Sequence, residues 1–528
     1  MWLAPLLLLA VVWTQAAFVK ATNFYGYDEW TVLFLLSRGV IDIPYANRPL
    51  ELLWALPVPW IAPHSFLPFS MLHWLYLWLT GLLVFWIALR FAPGRSLLAL
   101  LAGVFAMVWA PSDYARLSTV ERTLYGGITF GMTLTMAVYV ESWVRRSVPL
   151  LAVSLLLCVV SGRCYEATLP VLLVTPVLLV RLRGGSRSAL RQWVLAFESF
   201  VLLSLLLALQ PMLFPTGDPS YQASYGLDAR PTALLTRLAL QCRLHFGPLL
   251  SPGLQELPVQ ATGAAVIVLL GACLLWLRAA PDQGDKGDLH LLVLSGALLT
   301  GAGYGALLLT GRQPGAWRMQ SLSSPGAALL LAGTAVGIGE RLRRFGSSVA
   351  VALGVWVVAV GTARTLAMQQ QWDGFSFYRR QMHLLSALVL AVPDVQPRSL
   401  LVLLDEGKAW RADFGFHHAV EYLYRGHAIG VVWGASSPIF PAFFAPQGVA
   451  SDPMPAVQGA WGARRGLYRY DEVVVVRHTT SGAAVVLEAW PTELPPLPPG
   501  ALYRPRARLR PLLDPIAERR ALWSLGPG

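Results

Sequence analysis

Charged residues are scarce in this sequence. They make up 13% of the 528 residues, whereas hydrophobic residues make up 55%. A soluble protein of this length would carry roughly a quarter charged residues. Apolar runs long enough to cross a bilayer recur along most of the first two thirds of the chain. The composition therefore excludes an ordinary soluble enzyme and predicts a polytopic α-helical membrane protein.

Lysine and asparagine are almost missing. The only lysines are Lys20, Lys286 and Lys408, so the net charge of +12 comes almost wholly from arginine. Arginines cluster in short loops between apolar runs, which is the pattern of inside-positive membrane topology rather than of nucleic-acid binding. We expect no nucleic-acid partner, and the bias toward Ala, Gly, Pro and Arg is typical of a GC-rich bacterial genome.

Cysteine is also rare, and the four residues show no CxxC or metal-ligand spacing. Cys158 and Cys273 lie inside apolar runs and are expected to be packing residues. Cys164 and Cys242 fall in loops predicted on one side of the membrane, so a disulfide between them is left open. The sequence contains no P-loop, HExxH or GxSxG motif. No metal site is predicted, although a carboxylate pair could hold a divalent cation.

Apolar runs predict about eleven membrane spans. The first run lacks a positively charged segment before it, so we expect a retained helix rather than a cleaved signal peptide. The expected spans are 2–19, 66–90, 96–111, 123–143, 147–161, 167–181, 192–213, 260–278, 289–310, 324–339 and 346–365.

Arginine-rich loops set the expected orientation. With the N-terminus in the cytoplasm, every inner loop is basic. An odd number of spans then places the C-terminal region outside the cell. We expect a transmembrane domain over 1–365 with a long outer loop at 20–65. Residues 366–528 are expected to form a small extracytoplasmic α/β domain with a Pro-rich tail, built on an amphipathic helix at 369–391 and strands at 399–404, 472–476 and 483–488.

The stretch YGYDEW follows the first span and contains two adjacent carboxylates, Asp28 and Glu29. Ionisable groups beside a membrane are costly, which favours a functional role. The alternative is helix capping, with Asp28 as the N-cap and Glu29 in the first turn. The stretches 28–38 and 50–61 are apolar on one side and rich in tryptophan, so we expect helices that lie in the membrane interface.

Further polar residues fall in the predicted outer loops. Each one alone is explained as a solvated loop residue. Together with the carboxylate pair they would suit chemistry on a lipid-linked phosphate, because a sugar donor outside the cytoplasmic membrane must be carried on a polyprenyl phosphate. A carboxylate can act as the general base, and arginine binds phosphate through paired N–H groups. The candidate donor-binding residues are Arg48, Arg116, Arg163, Tyr165, Glu166, Arg243, His245, Arg312 and Arg318.

This layout resembles the GT-C superfamily of integral membrane glycosyltransferases. The matching residues are Asp28–Glu29 after the first span, Asn47-Arg48-Pro49, and Cys164-Tyr165-Glu166-Ala167 followed by Leu169-Pro170. The resemblance implies a GT-C fold in which Asp28 is the catalytic carboxylate and Glu29 an alternative or helper. The WWD-type motif of the oligosaccharyltransferases is missing, and the subfamily is left unassigned.

The sequence therefore predicts a hexosyl- or pentosyltransferase in the bacterial cytoplasmic membrane. It would move a sugar from a polyprenyl-phosphate-linked donor to an envelope glycan, a lipid or a protein. A transporter or flippase of lipid-linked glycans is one alternative, although Glu198 is the main ionisable residue within a predicted span. The other is a glycan polymerase, a ligase or a non-catalytic assembly subunit. A polymerase or ligase would depend on Arg243 or His245 in the 214–259 loop.

Overall fold

The computed structural model describes residues 3–42, 48–62, 65–176, 198–207, 209, 226, 228–251, 259–279, 289–309, 320–342, 345–435, 440–451 and 466–511. The helices in these ranges are α1 (Leu3–Ala16), α2 (Glu29–Ser37), α3 (Val58–Ile61), α4 (Leu67–Phe91), α5 (Ser96–Val108), α6 (Glu121–Arg145), α7 (Val148–Cys164), α8 (Leu169–Val174), α9 (Glu198–Leu207), α10 (Pro231–Leu250), α11 (Val259–Ala279), α12 (Leu289–Leu308), α13 (Gln320–Arg341), α14 (Gly346–Phe375), α15 (Tyr378–Ala391) and α16 (Asp413–Leu423).

Five of the described helical stretches are long and apolar enough to cross a bilayer: α4, α6, α11, α13 and the stretch formed by α14 with α15. Shorter apolar helices accompany them, namely α1, α5, α7, α9 and most of α12. The protein is therefore mainly helical and membrane-associated. The expected count of about eleven spans is not confirmed, because the second group is short for a bilayer core.

Helix α5 forms the centre of the bundle. Every residue from Ser96 to Val108 is buried, and α1, α4, α13 and α14 pack around it. Small residues allow this close packing. A Cβ atom on Gly103 would lie only 2.9 Å from the carbonyl oxygen of Gly81 in α4. Without a hydrophobic force between helices in lipid, such backbone contact is the main source of helix association.

The expectation of an interfacial helix at 28–38 is wrong. Residues Glu29 to Leu36 of α2 are all buried, and Trp30 is only 1% exposed. Apart from Glu29 and Thr31, the buried residues of α2 are apolar, and they need cover on every side of the helix. The bundle supplies one wall and α16 of the C-terminal domain supplies the other. In the second stretch, 50–61, the expected helix is limited to a 3₁₀ turn at Leu53–Ala55 and to α3.

Trp54 attaches this second stretch to the bundle. Its ring lies against α6 at two glycines, where a Cβ atom on Gly127 would come within 2.2 Å of Trp54 and one on Gly131 within 2.5 Å. The hydroxyl of Tyr76 donates a 2.6 Å hydrogen bond to the Trp54 carbonyl oxygen. In contrast, Trp60 is exposed, as an interfacial anchor would be.

The C-terminal region is a small α/β unit. Strand β2 lies parallel to both β3 and β7, the connection from β2 to β3 runs through α16, and β8 adds an antiparallel edge. The sheet order is β3-β2-β7-β8, beside a β4-β5-β6 sheet and a β1-β9 pair. The strands are β1 (Asp394–Val395), β2 (Ser399–Asp405), β3 (Ala428–Trp433), β4 (Ala442–Ala445), β5 (Gly448–Ser451), β6 (Gly466–Tyr468), β7 (Val473–His478), β8 (Ala484–Val486) and β9 (Leu509–Arg510).

The three expected strands are confirmed as β2, β7 and β8, with shifts of a few residues at their ends. The single amphipathic helix expected at 369–391 is wrong. Helix α14 continues the last apolar segment to Phe375, and a separate helix, α15, begins at Tyr378. The expected domain boundary at residue 366 therefore lies inside α14.

Buried polar contacts connect α2 to α15 and α16. The Thr31 hydroxyl lies 3.0 Å from Nδ1 of His418 on α16, and the Trp30 indole N–H donates to the Gln381 side chain on α15 at 3.2 Å. These groups are buried, so each contact satisfies atoms that would otherwise lose water at a cost. The helix that follows Asp28 is thus held by both parts of the protein.

We predict that Gly127→Ala lowers the free energy of unfolding by about 1–3 kcal/mol, because the added methyl group overlaps Trp54. Thermal unfolding in detergent measures this change. Gly263→Ala is the matched control, since a Cβ atom there meets nothing within 4 Å. An equal effect of the two substitutions would contradict the packing of Trp54 on α6.

Candidate functional site

Glu29 is fixed by the backbone that precedes it. Its carboxyl group accepts hydrogen bonds from three successive N–H groups, those of Tyr25, Gly26 and Tyr27, the last two at 3.1 Å from Oε2. Gly26 makes this turn with φ +91°, and a Cβ atom there would lie 2.9 Å from the Phe377 ring. The YGYDE segment therefore folds around the side chain of Glu29.

Asp28 occupies the N-cap position of α2 without capping it. Its backbone is helical, with φ −93° and ψ −13°, and its side chain accepts no capping hydrogen bond within the described stretch 3–42. A capping side chain needs an extended backbone to reach the first-turn N–H groups. The capping hypothesis for Asp28 is therefore wrong. Asp28 is half-buried.

Burial also changes the protonation of Glu29. Burial raises the pKa of Glu29 from its ordinary value near 4.5 to about 8; backbone hydrogen bonds oppose this rise and the nearby Asp28 adds to it. A buried carboxyl group that keeps its proton at neutral pH is a poor proton acceptor. Of the two predicted catalytic residues, Asp28 is the better general base.

Two tyrosines that precede Asp28 in the chain pack with each other and with an arginine. The rings of Tyr25 and Tyr27 lie 4.9 Å apart. The guanidinium of Arg411 lies over Tyr25 at 5.4 Å and over Phe377 at 4.6 Å. Arg411 could not be predicted from the sequence as a neighbour of Tyr25, because only tertiary packing brings the two residues together.

The loop that follows α5 is joined to the YGYDE segment. The Asn23 side-chain N–H donates to the Leu117 carbonyl at 2.9 Å, and the Thr119 N–H donates to the Asn23 carbonyl at 3.0 Å. The buried Arg122 guanidinium donates to the Lys20 carbonyl at 3.1 Å. Residues 117–122 are thus hydrogen-bonded to the chain that immediately precedes the YGYDE segment.

Three of the predicted donor-binding residues form one cluster. Arg48 makes two parallel hydrogen bonds to Glu166, at 2.8 and 2.7 Å, and its guanidinium lies 4.6 Å from the Tyr165 ring centre. Glu51 lies 3.4 Å from the same guanidinium. Burial opposes ionisation of Glu166, but Arg48 outweighs it, and the pKa of Glu166 is lowered. Because its charge is already balanced, Arg48 is a poor phosphate ligand. It instead links its own loop to the one that contains Glu166.

The other predicted residues do not join this cluster. Arg163 is half-buried at the end of α7, and its side chain donates no hydrogen bond within the described residues. Residues 231–250, expected within a loop, form helix α10, on which Arg243 is exposed and His245 is buried with Nδ1 against the Tyr304 hydroxyl. Arg312 and Arg318 lie outside the described residues.

Arg116 lines a small, partly open cavity among α4, α5, α6 and α13. About 30 Å³ of the cavity is open to the centre of a water molecule, which is room for about two waters. Burial lowers the pKa of Arg116 to about 10, and Asp113 acts the other way, so the guanidinium stays charged at neutral pH. Arg122 and His73 also line the cavity, and His73 carried no signal in the sequence analysis.

Cysteine pairing and metal binding find no geometric support in the described part of the chain. All four cysteines are free thiols, with Cys164 buried and Cys242 exposed. Among the described residues, no group of three or more His, Cys, Asp or Glu side chains is arranged to hold a metal ion.

No family model matches this sequence, and no curated protein matches it.

The pKa of Glu29 predicts a pH dependence of stability. A group whose pKa is raised on folding stabilises the protein fully below pH 4.5 and loses this contribution as the pH rises through 8. We expect Glu29→Gln to lack this loss, so the variant gains on the wild type by roughly 1.4 kcal/mol per pH unit across that window.

Unfolding midpoints in detergent at several pH values measure the difference. Glu488→Gln, at an exposed carboxylate, is the control and should run parallel to the wild type. A Glu29→Gln curve that is also parallel to the wild type would contradict the raised pKa.

Proposed function

We propose that this protein is a membrane glycosyltransferase of the GT-C type. It transfers a hexosyl or pentosyl group from a polyprenyl-phosphate-linked donor to an extracytoplasmic acceptor, which is an envelope glycan, a lipid or a protein. The proposal rests on the different structural roles of the two carboxyl groups. Glu29 holds the segment in place, whereas Asp28 follows two tyrosines in the chain and does not cap its helix.

Asp28 is the general base in this proposal. It accepts the proton of the acceptor hydroxyl while that oxygen attacks the anomeric carbon of the sugar. The bond from this carbon to the phosphate oxygen breaks, and polyprenyl phosphate leaves with the electron pair. A carboxylate that is not needed for helix capping can take up this proton without loss of the fold.

Arg411 is the residue best placed to bind the departing phosphate. Its guanidinium lies over the Tyr25 and Phe377 rings, and its planar fork matches two phosphate oxygens. This role replaces the one first expected for Arg48, whose guanidinium is occupied by Glu166. Tyr25 and Tyr27 offer ring faces on which the sugar could stack.

Basic loops support the accompanying topology. In the proposal the N-terminus is cytoplasmic, about eleven helices span the cytoplasmic membrane, and Asp28 and the C-terminal α/β unit face outward. The exposed Trp60 supports a membrane interface close to the same segment. A donor that reaches Asp28 sideways from the lipid would keep its prenyl chain in the bilayer.

We predict that Asp28→Asn lowers the transfer rate by at least about 100-fold, because the amide cannot accept the proton. The assay supplies purified protein with undecaprenyl-phosphate-linked hexose or pentose and an envelope acceptor fraction, and it measures released polyprenyl phosphate. Arg411→Gln should also lose activity, and Arg411→Lys should recover only part of it. Asp471→Asn, at an exposed carboxylate of the α/β unit, should behave as the wild type.

Three outcomes would overturn the proposal. Equal rates for wild type and Asp28→Asn would remove Asp28 from the mechanism. Activity that survives Asp28→Asn with Glu29→Gln but is lost in Arg243→Gln or His245→Ala would favour a polymerase or ligase. Flux of a lipid-linked glycan across proteoliposomes without any transfer would favour a transporter.

A further inference from the structure

Asp405 and His478 form a buried pair at the carboxyl edge of the parallel sheet. They are the last residues of β2 and β7, and the strand register places them opposite each other. Oδ1 of Asp405 lies 2.7 Å from Nδ1 of His478, and each side chain is only 5% exposed. Because a carboxylate only accepts hydrogen bonds, Nδ1 carries the proton of this contact. The carboxyl ends of parallel strands are also where open α/β sheets place their functional sites.

The same pair binds the loop that connects β2 to α16, residues 406–412. Oδ2 of Asp405 accepts the Trp410 backbone N–H at 3.0 Å, near the end of the loop. At its start, the Glu406 N–H donates to the His478 carbonyl oxygen at 3.0 Å. Both ends of the loop are therefore hydrogen-bonded to the Asp405–His478 pair.

Gly407 and Lys408 show how closely the loop is held. A Cβ atom on Gly407 would lie only 2.3 Å from Cε1 of His478, so only glycine lets the loop pack against the imidazole ring. Lys408 has φ +50°, in the left-handed region that is unfavourable for a residue with a side chain. A backbone of this shape persists when surrounding contacts impose it, and the Asp405–His478 pair supplies such contacts.

Arg411 follows directly after the N–H group that Asp405 binds. Its guanidinium lies 5.4 Å from the Tyr25 ring centre and 4.6 Å from that of Phe377. An arginine side chain is long and has many rotamers, so the place of its guanidinium depends on where the backbone is held. The backbone next to Arg411 is held by the Asp405 carboxylate.

We propose that Asp405 and His478 are positioning residues for Arg411. The pair holds the 406–412 loop so that the guanidinium stays over Tyr25, where it can bind the phosphate of the donor. The inference rests on the role of Arg411 in the proposed function. Because the pair acts through the loop and not on the substrates, its loss should weaken donor binding and leave acceptor binding unchanged.

The first test compares the KM values of the purified protein for the polyprenyl-phosphate-linked donor and for the acceptor. Asp405→Ala should raise the donor KM at least about tenfold and leave the acceptor KM unchanged. Asp405→Asn keeps an oxygen for the Trp410 N–H and should recover part of the loss. Asp471→Ala, at an exposed carboxylate of the same unit, is the matched control and should keep both KM values.

A double substitution separates positioning from a general loss of structure. The readout is the Kd of undecaprenyl phosphate, which needs no turnover. If the pair acts through Arg411, adding Asp405→Ala to Arg411→Gln weakens binding no further than Arg411→Gln alone. Additive effects of the two substitutions, or an unchanged donor KM in Asp405→Ala, would overturn the proposal.

Hydrogen–deuterium exchange tests the hold on the loop without any substrate. Peptides that cover 406–412 should exchange at least about tenfold faster in Asp405→Ala. Gly407→Ala, which forces the His478 ring aside, should show the same change, and Gly374→Ala is its control because a Cβ atom there meets nothing within 4 Å. Unchanged exchange in both loop variants would overturn the proposal. Faster exchange in a protein whose wild type transfers no sugar would instead refute the proposed function and leave the positioning of Arg411 supported.

Discussion

The hydrogen bonds from the Tyr25, Gly26 and Tyr27 N–H groups to the Glu29 side chain fix the backbone turn that contains Asp28. They turn the chain sharply after the first apolar helix and direct α2 into the protein instead of along its surface. Because Glu29 fills this structural role, its neighbour does not have to. Two adjacent negative charges would repel each other in a buried place. The raised pKa of Glu29 keeps its carboxyl group protonated at neutral pH, which removes much of this repulsion.

The burial of α2 links the membrane bundle to the C-terminal α/β unit. One continuous apolar cluster contains α2, the start of α4 and α6, and the inner face of the sheet. Polar groups beside this cluster form contacts across the same junction, as the Thr31 hydroxyl does with His418. The α/β unit therefore positions one wall of the site and contributes Arg411 to it. A structural change in the sheet would therefore alter the position of Asp28 through α2.

The sequence predicted the classes of structure better than the contacts between them. Long apolar runs were sufficient for the membrane character, and short apolar runs rich in Val and Leu were sufficient for strands β2, β7 and β8, because both signals are local. The burial of α2 could not be predicted, since an all-apolar helix fits a lipid interface and a protein interior equally well. Arg411 lies hundreds of residues from Tyr25, and only tertiary packing joins them. The pairing of Arg48 with Glu166 was within reach, because both residues were expected on the same face, but their mutual neutralisation was not.

The central claim is that Asp28, and not Glu29, meets the reacting hydroxyl. The most direct test is a cryo-EM structure with a polyprenyl-phosphonate sugar analogue and an acceptor hydroxyl bound. The account predicts that the acceptor oxygen lies within hydrogen-bond distance of an Asp28 carboxylate oxygen, that the phosphonate contacts Arg411, and that Glu29 keeps its three backbone partners. An analogue bound instead against Arg243, or one that displaces Glu29 from its N–H groups while leaving Asp28 in solvent, would contradict it.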